Sequence, residues 1–252
     1  MSVVVLDPRL EELVDVDARP ELLADGFIFL EGPVWHHRER HLTFSDTRKD
    51  SLFRWSEADG VSVWRHPDGH ASGNTYDHEG WLVSCEMEGR CLSRISPDGS
   101  RVEALASSYY CKSLSSVNDS VTAPNGDILF TCQVTRKRLP NGDAVRTPDG
   151  SFVVVDPFVG IMRVSKRGGA VELLVDGDTV AGPNGLTVSP DGRRLLAADT
   201  SRHEVHAFDL NEDGSVTDRG VFVDTTYGEK VVRADGMKLD GRGNLYIATN
   251  TE

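Results

Sequence analysis

The stretch Gly182–Thr200, GPNGLTVSPDGRRLLAADT, decides the fold. Two short apolar runs flank a Pro-Asp-Gly turn, which is the pattern of a β-hairpin. Its one anomaly is Asn184, a polar amide where the first strand begins. Similar punctuation recurs, with Asp-Gly pairs at 59–60, 68–69, 98–99, 149–150, 191–192, 213–214 and 240–241. Between these pairs lie short β-branched or alternating runs such as HLTFSD (His41–Asp46), ILFTC (Ile128–Cys132) and LYIAT (Leu245–Thr249). Runs of this length bounded by turn formers predict strands. Beyond the first dozen residues no window carries a 3.6-residue apolar period, so the chain is expected to be all-β.

The runs fall into groups that open alike, at Glu31-Gly32-Pro33, Gly73-Asn74-Thr75, Val117-Asn118-Asp119, Pro183-Asn184-Gly185 and Ala234-Asp235-Gly236. Counted from Glu31, the anchors at 74, 118, 184 and 235 are 43, 44, 66 and 51 residues apart. A period in the forties holding about four strands predicts a β-propeller. A β-sandwich accounts for the strand spacing but not for the matching starts. The long third interval is expected to hold a loop insertion around 133–155. Residues 1–252 then form a single domain, and the first strand of each blade lines a central channel. Asn184 is polar, on this reading, because it and its counterparts face that channel.

Bulk properties narrow the function. A formal charge of −13 argues against nucleic acid and anionic membrane surfaces as partners. No apolar run approaches the length of a membrane span, and MSVVVLDPRLEELVDV lacks the pattern of a secretory signal. Cys85, Cys91, Cys111 and Cys132 match no zinc or redox spacing, which predicts reduced thiols and a cytoplasmic location.

The matching starts collect Glu31, Asn74, Asn118, Asn184 and Asp235. Carboxylate and carboxamide oxygens without a thiolate or imidazole suit a hard divalent cation such as calcium. Taken singly, each Asn is equally a turn former satisfying local backbone groups. The histidines of HHRERH (His36–His41) flank a charged turn and are expected to form a solvated hairpin tip rather than a metal site.

The motifs EGPVW…LTFSD, SGNTYDHEGWLVSCE, VNDSVTAPNGDILFT, GPNGLTVSPDGRRLLAADT and ADGMKLDGRGNLYIAT resemble, in this order, the gluconolactonase, senescence-marker-protein and luciferin-regenerating (regucalcin-like) family. The resemblance runs from about Leu30 to Ile247. It implies a six-bladed propeller with one divalent cation in the channel, calcium first, with Zn2+, Mn2+ or Mg2+ as alternatives. It implies a calcium-dependent lactonase whose substrate is a small lactone or ester. Glu31, Asn118, Asn184 and Asp235 would hold the metal, Asp235 would be the general base, and Asn118 and Asn74 would touch substrate. A non-catalytic calcium-binding propeller and a same-fold aryl esterase or phosphotriesterase are the alternatives. Two positions depart from the family: Cys132 replaces an acidic channel residue, and Ser116 stands where an arginine can meet an acidic sugar. The chain stops at LYIATNTE, part-way through a fifth blade. Most of a sixth blade is therefore expected to be lacking, although PELLADGF resembles its closing outer strand. The alternatives for this short end are a truncated reading of a longer gene, a naturally short paralogue, and a ring completed by a homo-oligomer or another chain.

Overall fold

The computed structural model describes residues 3–137, 139, 144–226 and 232–251. The chain is all-β apart from a 3-10 turn at Pro8–Glu12. Strands β1 (Leu30–His36), β2 (His41–Asp46), β3 (Ser51–Ser56) and β4 (Gly60–Arg65) form the first antiparallel sheet. The second holds β5 (Ala71–Tyr76), β6 (Leu82–Glu86), β7 (Cys91–Ile95) and β8 (Val102–Ala106), followed by the short pair β9 (Ser108–Tyr109) and β10 (Lys112–Ser113). In the third sheet, β11 (Ser116–Thr122) and β12 (Ile128–Gln133) continue, after a two-stranded excursion of β13 (Thr135–Arg136) and β14 (Val154–Asp156), into β15 (Gly160–Val164) and β16 (Val171–Asp176). The fourth holds β17 (Pro183–Val188), β18 (Arg194–Asp199), β19 (Glu204–Leu210) and β20 (Val216–Asp224); β21 (Val232–Leu239) pairs with β22 (Leu245–Thr251) in the last. The predicted insertion around 133–155 thus carries a small hairpin of its own, and its residues 138 and 140–143 lie outside those described. Among the described residues Pro20–Phe27 pairs with no strand.

The opening hairpin shows how the turns are made. Gly192 takes a φ of +72°, a conformation that costs glycine no steric penalty, and its N–H donates to the Ser189 carbonyl at 2.8 Å. The Asp191 carboxylate accepts the Arg193 N–H, fixing the Pro-Asp-Gly reversal.

The cores lie between successive sheets. Leu52, Leu82 and Ile95 fill the first interval, Val83, Val117, Phe130 and Met162 the second. Leu129, Ile161, Leu186 and Phe208 fill the third, and Leu196, Val205, Ala234 and Met237 the fourth. Phe130 and Leu129 are sequence neighbours that feed opposite cores, because successive strand residues face opposite ways. A strand covered on both faces therefore reads as a continuous apolar run, as ILFTC does. Cys132 belongs to the second core and is fully buried, so the expectation that its thiol replaces a channel group is incorrect. Among the described residues no helix is long and apolar enough to cross a membrane.

Candidate active site

The innermost strand of every sheet breaks register at the same place. Two residues oppose one on the neighbouring strand: Gly32-Pro33, Ser72-Gly73, Asn118-Asp119, Asn184-Gly185 and Asp235-Gly236. Such a β-bulge re-aims side chains that regular pleating would send into the packed faces. Asn118, Asn184 and Asp235 occupy the same first position of their bulges, which is why the sequence repeats a polar residue there. Glu31 stands one residue before its bulge.

The second bulge position is where neighbouring inner strands meet. A Cβ on Gly73 would overlap the Asp119 carboxylate, and one on Gly185 would overlap the Asp235 carbonyl oxygen. The first sheet departs from this rule, with Pro33 there and Gly32 against the Ser72 carbonyl, and so does the third, with Asp119 in place of a glycine. Its Oδ2 accepts the Leu186 N–H at 3.0 Å and its Oδ1 the Ser120 N–H at 2.8 Å. Side-chain hydroxyls stitch the first sheet to the second, the third to the fourth and the fourth to the last. The Ser45 hydroxyl donates to the Ser72 carbonyl, that of Thr131 to the Asn184 carbonyl and that of Thr200 to the Ala234 carbonyl, at 3.0, 3.0 and 2.6 Å.

Together the bulges line a cavity of about 530 Å3 at the hub. Glu31, Asn118, Asn184 and Asp235 all face it, joined by Asp119 and Lys238, two residues the sequence reading passed over. Asn184 Nδ2 donates to the Thr200 hydroxyl at 3.1 Å, which fixes the carboxamide and leaves Oδ1 as the acceptor. The Asn118 side chain makes no hydrogen bond among the described residues. Burial raises the Glu31 carboxyl to about 7, and the negative charges of Asp235 and Asp119 push in the same direction. Burial also raises the Asp119 carboxyl, opposed by Lys238 and by its two backbone donors.

Asn74 does not reach this cavity. It lies one residue past its bulge, is fully buried, and its Nδ2 is 3.1 Å from the Gly32 carbonyl, 2.8 Å from the Ser45 hydroxyl and 3.1 Å from the Ser72 carbonyl. Its Oδ1 accepts the Ser84 hydroxyl at 2.8 Å. Asn74 is a clamp between the first two sheets, and Ser72 holds the position equivalent to Asn118. Ser116 lies outside the cavity as well, on a neighbouring cleft beside Gln133.

His36 and His41 are also misjudged by the sequence reading. Both are buried, stacked as the last cross-strand pair of the β1–β2 hairpin, while His37 alone is exposed.

Comparison with known proteins agrees with this architecture. Residues 29–252 match the SMP-30/Gluconolactonase/LRE-like region. The chain is 26% identical over 260 residues to the gluconolactonase of Zymomonas mobilis, covering 96% of this chain and 70% of that protein. It is 26% identical over 220 residues to the pentonolactonase XacC of Haloferax volcanii, covering 86% of this chain and 65% of the relative. The solved gluconolactonase XC5397 of Xanthomonas campestris superposes with a TM-score of 0.74 at 30% identity, over 90% of this chain and 71% of that one.

Proposed function

The chain belongs to the SMP-30/gluconolactonase/LRE-like family, and from that membership we propose that it hydrolyses a sugar lactone or related cyclic ester in the hub cavity. The observation that carries the reading is the crowding of carboxylates around Glu31. Among the described residues, three acids and one lysine line the cavity, an acidic excess that suits a divalent cation. Glu31, Asn118, Asn184 and Asp235 would hold it, and their all-oxygen donor set favours calcium over softer ions. A divalent cation bound there supplies Lewis acidity to the carbonyl oxygen of the lactone.

The chain's own groups do the rest. Asp235 takes a proton from the attacking water as its oxygen bonds to the carbonyl carbon. It returns that proton to the ring oxygen as the C–O bond breaks, so water and lactone give one hydroxy acid. Asn118, with its amide otherwise uncommitted, orients the substrate beside Asp235. Asp119 acts from below, holding the β17 backbone through the Leu186 N–H and so the position of Asn184. No side-chain nucleophile is needed, and burial pushes the Cys132 thiol up to about 12, far from thiolate formation at neutral pH.

The test is proton release from a panel of aldono-1,4- and 1,5-lactones, with aryl esters and phosphotriesters as comparison substrates. Lactone opening that chelator abolishes and added calcium restores is the expected result. Calcium binding without turnover of any lactone would make the protein a binding propeller instead. Turnover confined to aryl esters or phosphotriesters would assign the alternative hydrolase chemistry.

A further inference from the structure

Strand β1 carries a second set of donors at its other end. His36 and His41 are directly opposed across the β1–β2 hairpin, and Glu39 sits in the turn between them. One ligand atom from each of the three lies within 4.8 Å of the others. The two imidazoles stack with centroids 5.0 Å apart and planes 11° from parallel. Glu39 Oε2 is 3.6 Å from His41 Nδ1. His36 and Glu31 are five residues apart along one strand, roughly 15 Å at strand rise, so this cluster is remote from the hub.

We propose that His36, Glu39 and His41 form a binding site for a borderline transition metal, Zn2+ in the first instance, separate from the hub cavity. Two imidazole nitrogens and one carboxylate oxygen are the mixed set that zinc favours and calcium does not. An outer shell is already built. His41 Nε2 is 2.9 Å from the Tyr76 hydroxyl, which is itself 2.7 Å from the Thr43 hydroxyl. With Nε2–H donating to Tyr76, Nδ1 is the unprotonated nitrogen and faces Glu39, the arrangement in which a second partner fixes a ligating tautomer. The Tyr76 ring also packs edge-on against His36, with centroids 4.5 Å apart. An ion has an approach route, since a cavity of about 710 Å3 opens on Glu39 and His41.

Two local features work against the ion and limit its affinity. His36 Nδ1 now accepts the Glu39 N–H at 3.0 Å, so that bond must be exchanged if this nitrogen ligates. Arg54 lines the same cavity and opposes positive charge there, which makes the Glu39 carboxylate indispensable. Ligand atoms around tetrahedral zinc sit ~3.3 Å apart, a contraction within reach of the exposed Glu39 side chain and small ring rotations.

The test is Zn2+ titration of the full chain in saturating calcium, read by competition with a chromogenic chelator, and repeated with Co2+ for its visible absorption. One equivalent of Zn2+ is expected, and Asp235→Asn should leave it in place. Glu39→Gln, an exposed change that leaves the hairpin backbone alone, should weaken binding on the order of tenfold, and His41→Gln by more. Zinc that fails to bind, that survives both substitutions, or that leaves with Asp235→Asn overturns the proposal. If His41→Gln does not fold, the Glu39→Gln titration and the Co2+ spectrum of the unsubstituted chain still decide it.

Discussion

Asn74 and Asn184 stand on the inner strands of the second and fourth sheets and look interchangeable in sequence. The structure separates them by their position relative to the bulge. Asn184 is the first bulged residue and turns to the hub, whereas Asn74 is one residue past its bulge and turns into the seam between sheets. Asn74 stands two positions later than Asn184 relative to the bulge, where regular pairing has resumed and the bulge no longer re-aims the side chain. The same side chain therefore serves a cavity in one place and a buried polar clamp in the other. What decides the role of a polar residue here is its register against the bulge, more than its proximity to a strand start.

The comparison can be broken most sharply at the hub. Asp235→Asn keeps the shape of the first bulge position but removes a base, so turnover should fall by about 10²–10⁴-fold with thermal stability retained. An unchanged rate would remove Asp235 from proton transfer. Asn184→Ala should cut calcium affinity at least tenfold, measured by calorimetry, while stability falls by only about 1 kcal/mol from the lost Thr200 hydrogen bond. Asn74→Ala should reverse this, costing roughly 3 kcal/mol in a denaturant melt because two hydroxyls and two carbonyls lose a buried partner. Its calcium affinity should change little; equal losses in both variants would erase the distinction between seam and hub.

A pH series read with and without calcium sharpens the contrast, because the buried Asp68 carboxyl beside Asp50, also raised to about 7, lies outside the hub. The folded Glu31 carboxyl near 7 holds its proton more tightly than an unfolded one near 4.5. Folding is thus favoured by this group at low pH, and that stability is lost as pH rises from 4.5 through 7. The Glu31 share of that loss should be about 3 kcal/mol in the metal-free chain. Calcium should abolish that share while the share from Asp68 persists, and its affinity should weaken as pH falls below 7 because protons compete for Glu31. A metal-free stability that is flat over this range would refute the crowding. The smallest effect is expected from Lys238→Met. Removing one positive charge from the cavity should tighten calcium binding about two- to fivefold, and weaker binding would count against its electrostatic role.

Much of this was legible in the sequence because bulges impose chemistry. A polar residue followed by glycine is what Asn184-Gly185 needs, since one side chain faces the hub and the next residue meets a neighbouring backbone, and Asp235-Gly236 repeats the pattern with open space beside the glycine. Asn74 was misassigned because GNT imitates PNG, although the true bulge lies at Ser72-Gly73. Asp119 was passed over for a related reason. It occupies a glycine position, and the VND doublet was the available signal. Lys238 sits on a strand whose alternation does not reveal that its exposed face is the hub. His36 and His41 looked solvated because their neighbours are charged, yet their cross-strand stack on each other and the edge-on Tyr76 ring bury them.

The hydroxyls of Ser45, Thr131 and Thr200 tie the carbonyls of Ser72, Asn184 and Ala234, in or beside the bulges, to a neighbouring sheet. Loops that leave these three residues in place can therefore be exchanged without removing those bonds. That makes this scaffold a sound host for grafted specificity loops, with those three hydroxyls as the positions an engineer should leave alone.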